Sequence, residues 1–258
     1  YHASGDRKFL QQMLPKLKKY FHWLAANRDF EGDGLISIIS PFESGFDWKP
    51  TFDEVVGFPE KRADWRLFWK VVWVDMRNFI YTYRTDPIYR KNYFIVKEVG
   101  FNTIYVQNLH AVSILCSELK DPEAETFKSR ADKVVQSMLQ IMYDDESSAF
   151  YDVYGKENTK NKVLTPTIFF PVVIREMPGD ICERVIDAHF FNQKEFEVPF
   201  PIPSVAKNHP SFNPEQSLYI WRGPTWILFN WFMHQFFIEK NFSDEASRLV
   251  ESIKKLIR

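Results

Sequence analysis

The segment DRKFLQQMLPKLKKYFHWLAA, residues 6–26, shows the pattern from which the fold class is predicted. Its large apolar side chains recur with a period of about 3.6 residues, which places them on one face of an α-helix. These side chains are Phe9, Leu10, Met13, Leu17, Phe21 and Leu24. The segment is therefore predicted to form an amphipathic helix that packs against a core.

The same periodicity continues through most of the chain, and strand-like alternation is scarce. Three connections are long and rich in Pro, Gly and aromatic residues, and loops of that length in a compact domain are usually functional. Paired helices with such connections predict an all-α toroid, formed by residues 1–258 as a single domain, with the long loops on one face. The further predicted helices are 64–84, 99–119, 122–142, 165–174, 179–191, 224–240 and 244–258, the last capped by Ser243, and the long loops are 28–63, 144–164 and 192–223.

Charge and cysteine content limit the classes of partner. With 33 basic and 34 acidic residues the chain has no net field to attract nucleic acid, and it has no apolar run long enough to span a bilayer. Neither nucleic acid nor a membrane is expected as a partner. Cys116 and Cys182 lie in apolar helical patterns and are predicted to be small buried hydrophobes. Low cysteine and no visible secretory leader favour a cytosolic location.

The aromatic content points towards ring-shaped ligands. The chain has 25 Phe, 11 Tyr and 8 Trp residues. A core absorbs Phe freely, but each buried indole N–H requires a hydrogen-bond partner. Tryptophans gathered in loops are therefore one indication of a site that binds flat rings.

Two acidic segments resemble metal-binding motifs, but a turn without a metal is favoured for both. RDFEGDGLISI, residues 28–38, places Asp29, Glu31 and Asp33 like the start of a calcium loop, but Ser40 stands where the bidentate Glu is required. A solvated turn is predicted instead. DDESSAFYD, residues 144–152, is similar to one acidic motif of helical terpene enzymes, yet no second cluster follows, so a hairpin turn is predicted. No metal is expected, and the six His show no ligand spacing.

WRGPTW, residues 221–226, gathers Trp221, Arg222 and Trp226 near a predicted helix start. Pro224 suits the first turn of a helix, because its missing N–H would be unpaired there. Two indoles offer stacking faces for a sugar ring, and a guanidinium offers a fork for its hydroxyls. A helix start anchored by tryptophans is the equally weighted alternative.

FESGFDWKP, residues 42–50, places two carboxylates beside aromatic rings. An aromatic, partly dry loop disfavours the charged form of a carboxyl, which raises its pKa towards values useful to a general acid. Asp47 lies between Phe46 and Trp48 and fits that role better than a solvated acid. Glu43 is the other candidate, and spacing alone leaves the choice open.

Three segments together resemble the (α/α)6-barrel glycosidases of glycoside hydrolase family 63, especially its mannosylglycerate and glucosylglycerate hydrolase branch; the trehalases share its clan. RDFEGDGLISIISPFESGFDWKP is similar to the family's run from RD-x-DGDGL into ESG-x-D. SSAFYDVYG resembles its G-F-Y-D hairpin, and FEVPFPIPSVAKNHPSFNPEQSLYIWRGPTWILFNWF resembles its PSVA to WRGP-x-W pattern. FNTIYVQNL, residues 101–109, resembles the helix that follows the acid loop.

The resemblance implies an inverting, exo-acting α-glycosidase that hydrolyses small α-glucosides or α-mannosides and uses no cofactor. It assigns Asp47 as the general acid. A small oligosaccharide or glycoside is the expected substrate, and the general base of such an enzyme stands roughly 6.5–9.5 Å from the acid. The expected substrate contacts are Glu43, Trp48, Gln107, Trp221, Arg222 and Trp226.

The chain also departs from the family pattern. Trp48 and Lys49 replace an Asn or Asp and a Ser, and Ile220 replaces a Tyr before WRGP; both changes are expected at the binding face. No residue matches the base, which the family places beyond the WRGP helix, and about eight helices are predicted where a toroid has twelve. We therefore expect a toroid that is incomplete at both ends. Lys49 and the missing base favour a rival hypothesis, a sugar-binding or structural protein without turnover.

Overall fold

The computed structural model describes residues 1, 3–59, 62–215 and 218–257, and this part of the chain is predominantly helical. The predicted all-α class is confirmed. The α-helices are α1 (Arg7–Arg28), α2 (Trp65–Ile80), α3 (Thr85–Lys91), α4 (Val99–Leu119), α5 (Ala124–Ser137), α6 (Gly179–Val185), α7 (Ile227–Glu239) and α8 (Ser243–Ile257).

Several helix boundaries differ from those predicted, for local reasons. The predicted helix 165–174 is a 3-10 run, Pro166–Val173, because Pro171 cannot donate the N–H that an α-helix requires. The predicted helix 64–84 ends at Ile80, since Thr82 and Tyr83 have positive φ angles, and α3 follows as a separate helix. α5 and α6 continue as π-helical turns, Met138–Met142 and Ile186–Phe190.

α4 lies at the centre of the main hydrophobic core. It contacts α5 as a helical hairpin, and it also contacts α1 and the 3-10 run. Its buried face includes Tyr105, Val106, Leu109 and Cys116. Gly100 allows the close approach, because a Cβ there would lie 3.2 Å from the side chains of both Phe170 and Thr167. α7 and α8 pack against each other, and α7 also contacts the 3-10 run.

Short strands connect the long loops. β1 (Ser37–Ile38), β2 (Val96–Lys97), β5 (Val153–Tyr154) and β6 (Thr159–Lys160) form an antiparallel sheet in the order β1-β2-β5-β6. The register pairs Ser37 with Lys97 and Lys97 with Val153. A separate hairpin pairs β3 (Tyr143–Asp144) with β4 (Ala149–Phe150), which confirms the predicted turn in DDESSAFYD. The sheet therefore joins two long loops to the start of α4.

Both cysteines are free and buried, as predicted. Burial raises the pKa of the Cys182 thiol to about 11, so this side chain is protonated at neutral pH. Within the described ranges, no helix combines the length and apolar character that crossing a bilayer requires.

Asn102 joins α4 to the loop that leads to β1. Its side-chain oxygen accepts from the backbone N–H of Ile36 at 2.7 Å, and its amide nitrogen donates to the carbonyls of Ile36 and Glu98 at 3.0 and 2.9 Å. The side chain is fully buried. Water cannot replace these bonds when the amide is lost, so Asn102 fixes the path of the loop.

Replacing Asn102 with alanine is expected to lower the free energy of unfolding by about 3 kcal/mol, because buried backbone groups of Ile36 lose their partners. Urea denaturation measures the change. Asn108 on the same helix is the matched control: it is exposed and donates only to Ile104 in its own helix, so Asn108→Ala should change stability by less than about 0.5 kcal/mol. Equal effects of the two substitutions would contradict the assigned role of Asn102.

Candidate active site

The acid loop, defined here as residues 41–50, folds through local hydrogen bonds. Ser40 caps the short turn Pro41–Ser44, and Gly45 follows with φ of 73°, a conformation that favours glycine. The Phe46 N–H then donates to Ser44 Oγ at 2.9 Å, and the Lys49 N–H donates to the Phe46 carbonyl at 2.8 Å. Asp47 lies inside the turn that this last bond closes.

Asp47 is half-buried, and burial raises the pKa of its carboxyl group. Among the described residues, no side chain is hydrogen-bonded or ion-paired to this carboxyl. Its position is therefore set by the backbone of the acid loop. A carboxyl that has a raised pKa and whose oxygens are not occupied by another side chain has the properties that a general acid requires.

Phe46 brings the acid loop and WRGPTW together. Its buried ring meets Trp221 edge-on, with the ring centroids 5.0 Å apart, and it also contacts Phe229 of α7 at 5.6 Å. Trp221 stacks on Trp226, with centroids 4.4 Å apart and an interplanar angle of 25°. Both indoles are half-buried. The residue before Asp47 thus touches the aromatic pair directly.

The predicted helix start at Pro224 is wrong. α7 begins at Ile227, with Trp226 as its N-cap, and the indole N–H of Trp226 donates to the Ile220 carbonyl at 3.1 Å. Pro224 is instead in an extended segment, where its carbonyl accepts from the Ser204 N–H at 3.1 Å. Thr225 forms a bridge with Pro203. Because of this pairing with the 203–204 segment, the helix begins three residues later than predicted.

Gly223 permits a close backbone contact within WRGPTW. Its φ is 150°, and a Cβ there would lie 2.3 Å from the backbone carbonyl of Asn213. No side chain fits at that distance. The neighbouring Asn213 N–H donates to the Arg222 carbonyl at 2.7 Å, which fixes the two segments side by side.

Arg222 is buried, and Asp53 pairs with both of its terminal nitrogens. Nη1 donates to Asp53 Oδ2 at 2.8 Å, and Nη2 donates to Oδ1. This bidentate pair joins WRGPTW to the residues that follow the acid loop. The role of Arg222 as a fork for sugar hydroxyls stays a prediction, and its guanidinium is already engaged in the protein.

Glu43 is also engaged. Arg28 donates to its two oxygens at 2.8 and 2.6 Å, and the Ile39 N–H donates to Oε2 at 2.8 Å. These bonds hold the start of the acid loop against the end of α1. Glu43 and Arg28 also line a cavity of about 340 Å³ together with Tyr20 and Trp23.

The expectation that Trp48 and Lys49 both lie at the binding face is wrong for Lys49. Its side chain is buried and pairs with Glu98 and with Asp152, the latter at 2.7 Å. Trp48 is half-buried and packs on Phe68 of α2 and edge-on against Tyr219, with centroid distances of 6.1 and 5.4 Å.

Gln107 lies on a different part of α4. It is exposed and lines a cavity of about 460 Å³ with residues of α4 and α5 and of the segment 173–176, which includes no acid-loop or WRGPTW residue. The structure therefore does not group Gln107 with Asp47, and its role as a substrate contact stays a prediction. A third cavity, of about 640 Å³, adjoins the end of the acid loop, and its lining includes Pro50, Asp53 and His209.

The carboxylates of the calcium-like segment bind an ammonium group. Lys97 Nζ, which is buried, lies 3.0 Å from Glu31 and 2.6 Å from Asp33, and it donates to Asn158 at 2.8 Å. Asp29 accepts from the Gly34 N–H at 3.0 Å. Within the described part of the chain, no cluster of three or more His, Cys, Asp or Glu side chains is arranged to hold a metal ion.

Sequence reasoning missed the ion pairs behind the acid loop. The partners Lys49 and Glu98 are 49 positions apart, and Arg222 and Asp53 are 169 apart. Glu98 carried no clear local signal, because it is not one of the Ser, Thr, Asp or Asn residues whose position before an apolar helical run predicts an N-cap. It accepts from the Phe101 N–H, as an N-cap does.

The family was identified by comparison with known proteins. Residues 1–256 match the sequence model of the mannosylglycerate hydrolase MGH1-like glycoside hydrolase domain. The chain is 28% identical to a mannosylglycerate hydrolase of Thermus thermophilus over 94% of its length and 61% of the relative. It is 25% identical to a mannosylglycerate hydrolase of Rubrobacter radiotolerans over 99% and 62%. The chain thus spans about three fifths of these relatives.

Solved structures give the fold. The crystal structure of a GH63 mannosylglycerate hydrolase from Thermus thermophilus in complex with Tris matches 100% of this chain and 66% of that one, with a TM-score of 0.87 at 23% identity. Neutral trehalase from Saccharomyces cerevisiae matches 61% and 30%, with a TM-score of 0.53 at 13% identity. The fold is that of the (α/α)6 toroid glycosidases, as the sequence predicted, and the chain belongs to the mannosylglycerate hydrolase MGH1-like family of glycoside hydrolases.

Proposed function

We propose that the protein containing this chain is an inverting, exo-acting α-glycosidase with Asp47 as its general acid. The substrate class is a small glycoside in which mannose or glucose is α-linked to a short aglycone such as glycerate, the aglycone named for the relatives. The observation that carries the proposal is the contact between Phe46 and Trp221. This contact joins the loop that carries Asp47, whose carboxyl has a raised pKa, to a pair of stacked indoles.

The two carboxylates of the acid loop differ in what they are free to do. Glu43 accepts three hydrogen bonds from Arg28 and Ile39 and holds the loop. Asp47 has no side-chain partner among the described residues and can present its proton to a glycosidic oxygen. This difference supports Asp47 as the acid and Glu43 as the residue that fixes the loop.

The tryptophans Trp221, Trp226 and Trp48 provide the aromatic contacts of the proposed sugar site. One indole of the stacked pair Trp221–Trp226 can offer its outer face to a sugar ring, and Trp48, the residue after Asp47, is proposed as a further aromatic contact. In this proposal Arg222 acts through Asp53 by fixing WRGPTW beside the acid loop. Gln107 is kept as a predicted contact outside this core.

The general base is proposed to come from outside these 258 residues, in the part of the fold for which the relatives have additional length. An inverting enzyme needs this base to activate water on the face of the sugar opposite the acid. The rival hypothesis, a sugar-binding or structural protein without turnover, had two reasons: Lys49 and the missing base. The first no longer applies, because Lys49 is buried and does not occupy the binding face.

Replacing Asp47 with asparagine in the full-length protein is expected to lower kcat for α-mannosylglycerate or α-glucosylglycerate by at least about 100-fold, because no proton reaches the leaving oxygen. A 2,4-dinitrophenyl glycoside of the same sugar needs no protonation and should be affected far less. Asp145→Asn, at an exposed hairpin residue, is the control and should leave both rates unchanged. Full activity of the Asp47 variant on the glycerate substrate would disprove the assignment.

The pH dependence of kcat/KM should show Asp47 as the group that limits the rate on the alkaline side. The acid must be protonated, so the rate falls as pH rises through its pKa. Burial raises that pKa above the usual range of an aspartate, and the alkaline limb should therefore lie at higher pH than for a solvated carboxyl. An alkaline limb at the pH of an exposed aspartate would contradict the burial argument.

Replacing Trp226 with alanine should weaken sugar binding about tenfold, equivalent to roughly 1.4 kcal/mol, because the stacking platform is lost. Calorimetric titration with mannose or glucose measures the change in Kd. Trp231 on α7 is the control, since it is 54% exposed and lies outside the stacked pair, and Trp231→Ala should bind as the parent does. Equal losses in the two variants would argue against a specific platform.

A further inference from the structure

A buried ionic triad holds the acid loop two residues after Asp47. Lys49 Nζ contacts Oε1 of Glu98, and it lies 2.7 Å from Oδ2 of Asp152. The side chains of Lys49, Glu98 and Asp152 are 3%, 0% and 3% exposed. Bulk water therefore does not solvate these charges, and the groups depend on one another for stabilisation.

Backbone donors orient both carboxylates. Glu98 Oε2 accepts from the Phe101 N–H, and Asp152 Oδ1 accepts from the Val99 N–H at 2.9 Å. Both donors belong to the first turn of α4, which is packed in the core. The rings of Phe46 and Phe52 flank the ammonium at 5.9 and 5.2 Å. Lys49 is thus held by rigid groups on several sides.

Lys49 carries the positive charge of the triad. Burial alone would lower the pKa of Lys49, but the adjacent carboxylates of Asp152 and Glu98 more than compensate and raise it. Burial also raises the pKa of Glu98, and the ammonium of Lys49 opposes this effect. The ammonium remains charged while Asp47 loses its proton.

Asp47 depends on its neighbours for its position. Its carboxyl has no side-chain partner within the described residues, so the backbone on each side determines where it lies. On one side Phe46 is fixed by ring packing against Trp221 and Phe229. On the other side Lys49 is fixed by the triad. A shift of about 1 Å in a catalytic group can reduce a rate by about 100-fold.

We propose that Lys49 is a positioning residue, whose ion pairs with Glu98 and Asp152 hold Asp47 in line with the glycosidic oxygen. The inference rests on the proposed function, because it concerns the delivery of the proton from Asp47. It assigns to the lysine of FESGFDWKP a role in catalysis that does not require contact with the sugar.

The test replaces the ionic triad with neutral groups of similar shape, using the variant K49M/E98Q/D152N in the full-length protein. The Gln and Asn oxygens still accept from the Phe101 and Val99 N–H groups, so no lone buried charge is left. We expect kcat for α-mannosylglycerate or α-glucosylglycerate to fall 10- to 100-fold, with KM changed by less than twofold. For the 2,4-dinitrophenyl glycoside the rate should change by less than threefold.

The matched control is K97M/E31Q/D33N. It removes another buried lysine with two carboxylates, which holds the 28–38 loop and not the acid loop. Its ratio of the two substrate rates should equal that of the parent. If the Lys49 triple variant is insoluble, Glu98→Gln keeps the pair with Asp152 and should show a smaller loss of the same kind.

Equal loss on both substrates, or no loss on either, would overturn the positioning role. The Asp47→Asn variant separates this result from a failure of the proposed function. If the loss of rate in Asp47→Asn depends on the leaving group while the loss in the triad variants does not, Asp47 remains the acid and only the role of Lys49 is rejected. If Asp47→Asn shows no such dependence, the proposed function fails and the inference fails with it.

Discussion

α4 begins inside the protein, and its first N–H groups need partners that water cannot supply. The four leading N–H groups of any helix have no acceptor within the helix. In this chain Glu98 and Asp152 accept from Phe101 and Val99, which satisfies two of these donors with carboxylates. Two buried negative charges then require a cation, and Lys49 provides it. The acid loop is consequently attached to the most deeply packed helix of the core.

The long loops are ordered because each is held by charge or by backbone pairing. β1, β2 and β5 join the loop 28–63 to the loop 144–164, and the ion pair Asp53–Arg222 joins the loop 28–63 to the loop 192–223. Such buried pairs contribute little net stability compared with well-packed apolar residues, but they specify which segments lie together. For a site built from loops, that specification determines whether the acid and the aromatic residues are neighbours.

The sequence predicts the helices well because periodicity is a local property, and it predicts the buried charges poorly because their partners are distant. The pattern in 6–26 and 99–119 corresponds closely to α1 and α4. Lys49 between Trp48 and Pro50 carries no local sign of burial, since a lysine is ordinarily exposed. The start of α7 depends on pairing with the 203–204 segment, which a helical pattern does not reveal. The aromatic neighbours of Asp47 favour it as an acid, while its assignment over Glu43 comes from the family resemblance; one of those neighbours, Phe46, packs against Trp221 in the structure.

The stacked indoles at 221 and 226 have an optical consequence. Two stacked chromophores with centroids 4.4 Å apart and planes inclined by 25° couple their electronic transitions, so the pair should give an exciton signal in circular dichroism. The sign and size of that signal depend on the angle between the rings. Because Phe46 packs against Trp221, a movement of the acid loop would alter this angle. The protein therefore carries its own spectroscopic reporter of loop geometry.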